Sequence, residues 1–381
     1  MQRNSIWFKV LILNLLLLSG CNKTNRAPVE IQETKGASIS QRKYSGKHQS
    51  EIKVSEKIEK VKEIAILVPL HGEGAQLGRE MSDLIKNGIQ DSGYKKQINI
   101  SVYDSSSSQA MHESIKDIAS KETDLILGVP SSKLVSPIHT FTNSKIPIVT
   151  LSNNINLNLD NVYIFGHKPM KQTEKILSYM IQNDISKDII LLLPESNNNT
   201  LAKVLESKIN SMGGRCVLIK HYQDMESISS TISTVNEFVH KFNENPAHLK
   251  KLGIYVADSK KNLDKMFDLV KKLHLDKTAN IFGDNRLDIS NAHDMNSFYI
   301  GYSNNGKNNF DNYDYIHKLA YDLGLYAGHA LQNENITNYL NNSDWIEGAS
   351  GYFKAQNQAT NRKYEVLKRA NGKVKVLEGI D

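Results

Sequence analysis

The sequence is poor in cysteine, poor in proline, and has no hydrophobic run long enough to cross a membrane. Its 381 residues hold two cysteines, Cys21 and Cys216, and eight prolines. Two cysteines exclude a disulfide framework and the clustered thiols of a zinc module. The longest apolar stretch, Val10 to Leu18, is broken by Asn14 and falls far short of the ~20 residues of a spanning helix. Charge of one sign is also scarce: 47 Lys and Arg face 41 Asp and Glu, a net charge of +6 with no dense basic block. That balance describes a solvated surface, and no nucleic-acid partner is expected. Hydrolase signatures are missing too, since neither G-x-S-x-G nor H-E-x-x-H occurs. The 12 histidines are scattered, with no pair at metal-ligand spacing on a helix. The expectation is a protein that is not an enzyme and has no cofactor and no metal.

What is present begins at the N-terminus. Arg3 and Lys9 precede the short apolar run, the pattern of a cleaved signal peptide over residues 1–20. The run ends in Leu18-Ser19-Gly20-Cys21, which resembles the lipobox of bacterial lipoproteins. Small residues before the cut fit a narrow peptidase cleft, and the Cys21 sulfur can form a thioether to diacylglycerol. Two or three acyl chains would hold the protein stably to a membrane, where one would not. Asn22 follows where Asp usually signals inner-membrane retention, so the resemblance implies the periplasmic face of the outer membrane. With lipid on Cys21, Cys216 has no internal partner, and it opens the apolar run Cys216–Ile219 as a buried, inert thiol. Residues 21–62 read as the lipidated end and a polar linker, which as a flexible chain spans roughly 35 Å.

From Glu63 the texture changes. Apolar strand-like runs alternate with amphipathic helices: strand Ile64–Val68, a helix with Leu77, Met81, Leu84, Ile85 and Ile89 on one face, strand Ile98–Tyr103, and so on to Val162–Phe165. After Pro169 the pattern restarts and runs to strand Phe298–Tyr302. Strands that are apolar throughout, each followed by a helix, predict parallel sheets covered on both faces. Two such sets predict an α/β fold of two doubly wound lobes with a cleft between them. A long helix covers Ile316 to Leu331, and the ending is antiparallel, with Asn371-Gly372 as a hairpin signal. The expected division is residues 63–165 plus 310–345 for lobe 1 and 166–309 plus 346–381 for lobe 2.

Several segments resemble the type I periplasmic-binding-protein fold, within it the Leu/Ile/Val-binding-like receptors. Val68-Pro69-Leu70-His71-Gly72-Glu73-Gly74-Ala75-Gln76-Leu77-Gly78 is similar to that family's first strand and turn. Leu127-Gly128-Val129-Pro130-Ser131-Ser132 is similar to its I-G-P…S-S loop. Ile146-Pro147-Ile148-Val149 matches its I-P strand, Ala320-Tyr321-Asp322 its A-Y-D helix, and Gly348-Ala349-Ser350-Gly351-Tyr352-Phe353 its closing hairpin. The likeness covers roughly residues 63–378. The lipid anchor, the linker and the strand end Leu151-Ser152-Asn153-Asn154 most resemble the penicillin-binding-protein activator lipoproteins. That resemblance implies a non-catalytic protein that stimulates a bifunctional peptidoglycan synthase by contact.

The competing reading is a solute receptor for an amino-acid-like ligand. By the resemblance, Ser131 and Ser132 offer hydroxyls and N–H groups to a carboxylate; at a helix N-terminus such groups suit an anion. Ser152 and Asn153 end the next strand, on the carboxyl edge where α/β sheets bind ligands. Gly72 and Gly74 let the backbone approach the cleft. Asp258, after Tyr255-Val256-Ala257, is placed to receive an ammonium from the second lobe. A dinucleotide turn at Gly72, with Asp104 as its ribose-binding acid, is disfavoured because the spacing G-x-G-x-x-x-G is one residue too long. Asp284, Asp288, His293 and Asp294 form a polar cluster that reads as a solvated loop.

Overall fold

The structure, a computed structural model, describes residues 60–379 apart from 155, 158, 196–199, 246–250, 288–294, 303–309 and 311–312. The signal segment, Cys21, the linker to residue 59, and Asp288, His293 and Asp294 lie outside the described residues.

β1 (Lys62–Val68) is buried on both faces from Ile64 onward. Only a central strand of a covered sheet can bury such a run. α1 (Ala75–Asp91) follows and buries Met81, Leu84, Ile85 and Ile89, the face its 3.6-residue period marks out. The alternation continues through β2 (Ile98–Asp104), α2 (Ser108–Ser120), β3 (Leu125–Gly128), α3 (Ser132–Phe141), β4 (Ile148–Thr150) and β5 (Val162–Ile164). It restarts at α4 (Pro169–Gln182), where proline occupies a first-turn position that needs no N–H partner. Then come β6 (Asp188–Pro194), α5 (Thr200–Ser211), β7 (Arg215–Tyr222), α6 (Ser227–Asn243), β8 (Leu252–Val256), α7 (Lys260–Lys272), α8 (Leu275–Thr278), β9 (Asn280–Gly283) and β10 (Ser297–Gly301). The last part holds α9 (Tyr315–Leu331), α10 (Ile336–Asn341), β11 (Ile346–Gly348), β12 (Gly351–Gln356), β13 (Ala359–Arg362), β14 (Glu365–Ala370) and β15 (Lys373–Glu378).

The strands form two sheets, ordered β11-β12-β13-β5-β4-β3-β1-β2 and β15-β14-β10-β9-β8-β6-β7. Each contains the same parallel core: β2-β1-β3-β4-β5 in the first and β7-β6-β8-β9-β10 in the second. The order therefore reverses between β1 and β3, and again between β6 and β8. Such reversals open a crevice at the carboxyl ends of the strands. Both faces of each sheet are covered. On the first sheet, Ile64, Ile66 and Val68 pack with α1 and α9, while Ala65 and Leu67 pack with α2 and α3. Helices α6 and α7 cover one face of the second sheet, and α4 and α5 the other.

α1 and α9 touch backbone to backbone. A Cβ on Gly88 would sit 2.1 Å from the Tyr321 carbonyl oxygen, and one on Gly324 would sit 2.0 Å from that of Ile85. Glycine on both helices is what lets them approach so closely.

The ending is antiparallel, as the pattern predicts, but its division between the lobes is not the expected one. Residues 346–362 belong to the first sheet, where β13 pairs with β5 and β12 with β13. Only β14 and β15 join the second sheet, through β10. Hydrogen-bond partners decide this, and a short polar strand such as Ala359-Thr360-Asn361-Arg362 carries no apolar alternation to announce it. The Asn371-Gly372 turn is as read, with both residues at positive φ, +51° and +71°. The β12–β13 turn does the same without glycine, at Asn357 (+51°) and Gln358 (+58°). The chain thus passes between the sheets three times: after β5, between β10 and α9, and at Lys363-Tyr364 between β13 and β14.

Candidate functional site: strand ends and hinge

The first lobe's expected site residues lie on one sheet edge. Gly72 (φ +73°) turns the chain after β1, and Gly74 occupies the N-cap position of α1. The turn is folded tightly against the helix, since a Cβ on Gly78 would lie 1.7 Å from the Pro69 carbonyl oxygen. Asp104, at the end of β2, holds this turn. It accepts from the Leu70 N–H (2.7 Å), the His71 ring (2.7 Å) and Ser106 (N–H 2.9 Å, Oγ 2.8 Å). Burial pushes its carboxyl upward, but these hydrogen bonds together outweigh it and keep it well below the usual range. Asp104 is a turn anchor with its acceptor capacity used, which removes the ribose-binding alternative.

Ser131 and Ser132 begin α3 after β3, beside the reversal point. Ser131 has the extended backbone of an N-cap, but its hydroxyl caps nothing. Just before it, Val129 is fully buried at φ +43°, a left-handed conformation that a β-branched residue rarely adopts. Its N–H donates to Leu67 (2.9 Å) and its carbonyl accepts from Thr150 Oγ1 (2.7 Å), so the neighbouring strands hold the strain. Ser152 is buried after β4. Its N–H donates to Thr150 Oγ1 (3.0 Å), and its Oγ accepts from the Asn154 N–H (3.1 Å). Asn153 is exposed beside it.

Asp258 follows β8 on the carboxyl edge of the second sheet, again at a reversal. It is not an open acceptor. The Tyr222 hydroxyl, the Ser259 N–H and Asn262 Nδ2 (2.9 Å) all donate to it. Two more residues lie on the same edge: Arg286, which the sequence does not single out, and Asp284, whose burial corrects the expectation of a solvated loop there. Asp284, after β9, is buried and accepts from Arg286 Nε (2.9 and 3.0 Å). Burial works against the Arg286 charge, but Asp284 more than compensates and raises its pKa. The signal was Asp-x-Arg directly after an apolar strand, a pattern too common to single out.

The crossings between lobes are packed with aromatic and polar groups. Tyr302 stacks on Tyr315 at 4.6 Å and 12°, and Tyr364 tilts against Tyr302 at 5.9 Å. His167 meets Tyr315 edge-on at 5.4 Å. Gln172 donates to the Tyr302 hydroxyl. Burial pushes the His167 imidazole down to about 4, so it is neutral at pH 7.

Beneath these rings lies a buried ion pair. The Arg362 guanidinium lies over the rings of Phe165 (5.0 Å) and Phe353 (5.2 Å). It donates to Ser350 Oγ (2.7 Å) and the Phe165 carbonyl (3.3 Å), with Asp322 3.9 Å away. Asp322 in turn accepts from the N–H groups of Ala349 (2.6 Å) and Ser350 (2.9 Å) and from Ser350 Oγ. A Cβ on Gly348 would strike the Asp322 carboxylate at 2.2 Å. The Ala320-Tyr321-Asp322 and Gly348-to-Phe353 motifs are thus two halves of one buried clasp.

Among the described residues, no three His, Cys, Asp or Glu side chains are grouped to hold a metal. No described helix is long and apolar enough to cross a membrane. Cys216 is half-buried in β7, and burial pushes its thiol up to about 11.

Comparison with known proteins agrees with this architecture. The chain is 29% identical over 341 residues to an uncharacterized protein of Rickettsia prowazekii (strain Madrid E), covering 85% of this chain and 91% of that one. Its fold matches the leucine-binding protein LivK of Thermotoga maritima MSB8 (TM-score 0.57, 17% identity, 84% of this chain and 99% of that chain). It also matches full-length LpoA of Haemophilus influenzae (TM-score 0.57, 15% identity, 84% of this chain); there it spans only 59% of the longer protein. These likenesses establish the type I periplasmic-binding-protein fold. The family model described as "LppC putative lipoprotein" matches residues 46–310, well over half of the sequence, and the chain therefore belongs to the LppC lipoprotein family.

Proposed function

We propose that this LppC-family protein is a non-enzymatic envelope lipoprotein, held by lipid on Cys21 at the periplasmic face of the outer membrane. It regulates peptidoglycan synthesis by direct contact with a bifunctional penicillin-binding protein. One observation carries the choice over a solute receptor: the acceptor placed for a ligand's ammonium, Asp258, is already taken by Tyr222, Ser259 and Asn262. Displacing the Tyr222 hydroxyl would leave a buried polar group unpaired, at ~1–3 kcal/mol. The fold likeness to LpoA and the family's lipoprotein character support the same reading.

The second reading is an amino-acid-type receptor for an ABC transporter. It is favoured by the unused Ser131 hydroxyl at the start of α3 and by the likeness to LivK. In that case Gly72, Gly74, Ser131, Ser132, Ser152 and Asn153 would hold the ligand's carboxylate end.

The test is capture from detergent-solubilised membranes with the full-length chain, combined with melting curves in the presence of each common amino acid. Recovery of a glycosyltransferase/transpeptidase, with no amino acid raising the melting temperature, is the expected result. Recovery of transporter permeases without a wall synthase, together with ligand-dependent stabilisation, overturns it.

A further inference from the structure

A depression of about 430 Å³ opens where α4 leaves the first crossing and the third crossing passes alongside. It lies apart from the strand-end residues: Lys168, Lys171, Lys175, Asn361, Tyr364 and Met212 line it, with Glu174 and Arg362. The volume is within the range of small-molecule sites. Its charges are unevenly matched. Lys171 pairs with Glu174 (3.0 Å), Lys208 with the same carboxylate, Lys175 with Glu378, and Arg362 faces Asp322.

Lys168 is the exception. It is half-buried, and its partner is the neutral Asn361 side chain, Nζ to Oδ1 3.2 Å. Burial pushes its pKa down, and the positive charges of Lys171 and Arg362 push the same way. A partly desolvated ammonium without a carboxylate is a standing cost that a bound anion relieves. Met212, the Tyr364 ring and the lysine stems supply an apolar wall beside the charge.

We propose that this depression is a binding site for a small oxyanion with an apolar body, a phosphate monoester or carboxylate whose charged end pairs with Lys168 and Lys171. Lysine ammoniums act as point charges toward such groups and need no fixed fork geometry. Lys168 precedes α4 of the second lobe, whereas Asn361 belongs to β13 of the first sheet. An anion seated here therefore ties the two sides of the hinge, whatever the protein's partner.

The experiment is lysine acetylation of the full-length protein in detergent, read by peptide mass spectrometry, with hexyl phosphate or hexanoate as probe. Saturation to ~4 times Kd is expected to slow acetylation of Lys168 and Lys171 by about fivefold. Lys354, on the first sheet beside Trp345, serves as the unprotected control. In Lys168→Met the protection of Lys171 is expected to vanish, and in Lys168→Arg to persist. Equal protection of Lys354, protection by neither probe, or undiminished protection of Lys171 in Lys168→Met overturns the proposal. Protection by phosphatidylglycerol vesicles alone, with phosphatidylcholine vesicles inert, also overturns it, since it assigns the basic groups to a membrane surface.

Discussion

Replacing Arg362 by methionine tests the clasp at the hinge. The Arg362 side chain is 1% exposed and that of Asp322 0%, so water cannot take over for either partner. Methionine keeps part of the packing against Phe165 and Phe353 but removes the donors to Ser350 and to the Phe165 carbonyl. It also leaves Asp322 buried without a countercharge. Removing one member of a buried pair costs about 3–5 kcal/mol. At roughly 2–4 °C per kcal/mol for a body of this size or somewhat smaller, the melting temperature falls by about 6–20 °C. Trp345 adjoins β11 in the same lobe, so its fluorescence during urea unfolding reports this region; it is the sole tryptophan of residues 21–381. The pH dependence has a defined sign. Burial holds the Asp322 carboxyl above its usual pKa, and removing Arg362 raises it further. A carboxyl with a raised folded pKa favours the folded state below its unfolded pKa and loses that advantage as pH rises. The deficit of Arg362→Met relative to the parent is therefore larger at pH 8 than at pH 5. Pairing it with Asp322→Leu removes the orphaned charge and recovers most of the loss. A cost below ~1 kcal/mol for the single change, or a deficit that grows on acidification, would refute the reasoning.

Two further outcomes follow from the same structure. His167, depressed to about 4 by burial, stays neutral in the fold while the unfolded chain takes up a proton near 6.5; stability falls between those values, by up to about 3 kcal/mol, and His167→Gln removes that part of the acid sensitivity, measured by urea midpoints at pH 7 and pH 4.5. Ser107 caps α2 through its Oγ (3.1 Å to the Ala110 N–H), whereas the Ser131 hydroxyl caps nothing, so Ser107→Ala costs about 1 kcal/mol and Ser131→Ala only a few tenths; equal losses in thermal melts would show that Ser131 is a working cap.

Much of the architecture was legible in the sequence because the hydrophobic period reports it directly. Ile64–Val68, Ile189–Leu193 and the face of Leu263, Met266, Phe267 and Val270 each form the predicted element. Asn371-Gly372 sits at its turn because two consecutive positive φ angles suit few other pairs. Periodicity is a local property and survives without knowledge of partners. Sheet membership is not local. Residues 346–362 carried nothing that assigned them to the first sheet, and Ala359–Arg362 became a strand only by pairing with β12 and β5.

The site divides in the same way. The sequence placed Gly72, Gly74, Ser131, Ser132, Ser152, Asn153 and Asp258 at strand ends, and each lies at the carboxyl edge of its sheet. Whether a polar atom there is free depends on what the rest of the chain brings to it. Tyr222 and Asn262 occupy Asp258, Asn154 occupies Ser152, and Leu70, His71 and Ser106 occupy Asp104. The clasp makes the same point at longer range: Asp322 and Arg362 are 40 positions apart, and neither has meaning alone. Composition and strand periodicity were settled by the sequence, since each depends on neighbours along the chain. The hinge, the spent acceptors and the uncompensated Lys168 were decided only by tertiary structure, because burial and pairing belong to groups that meet in space.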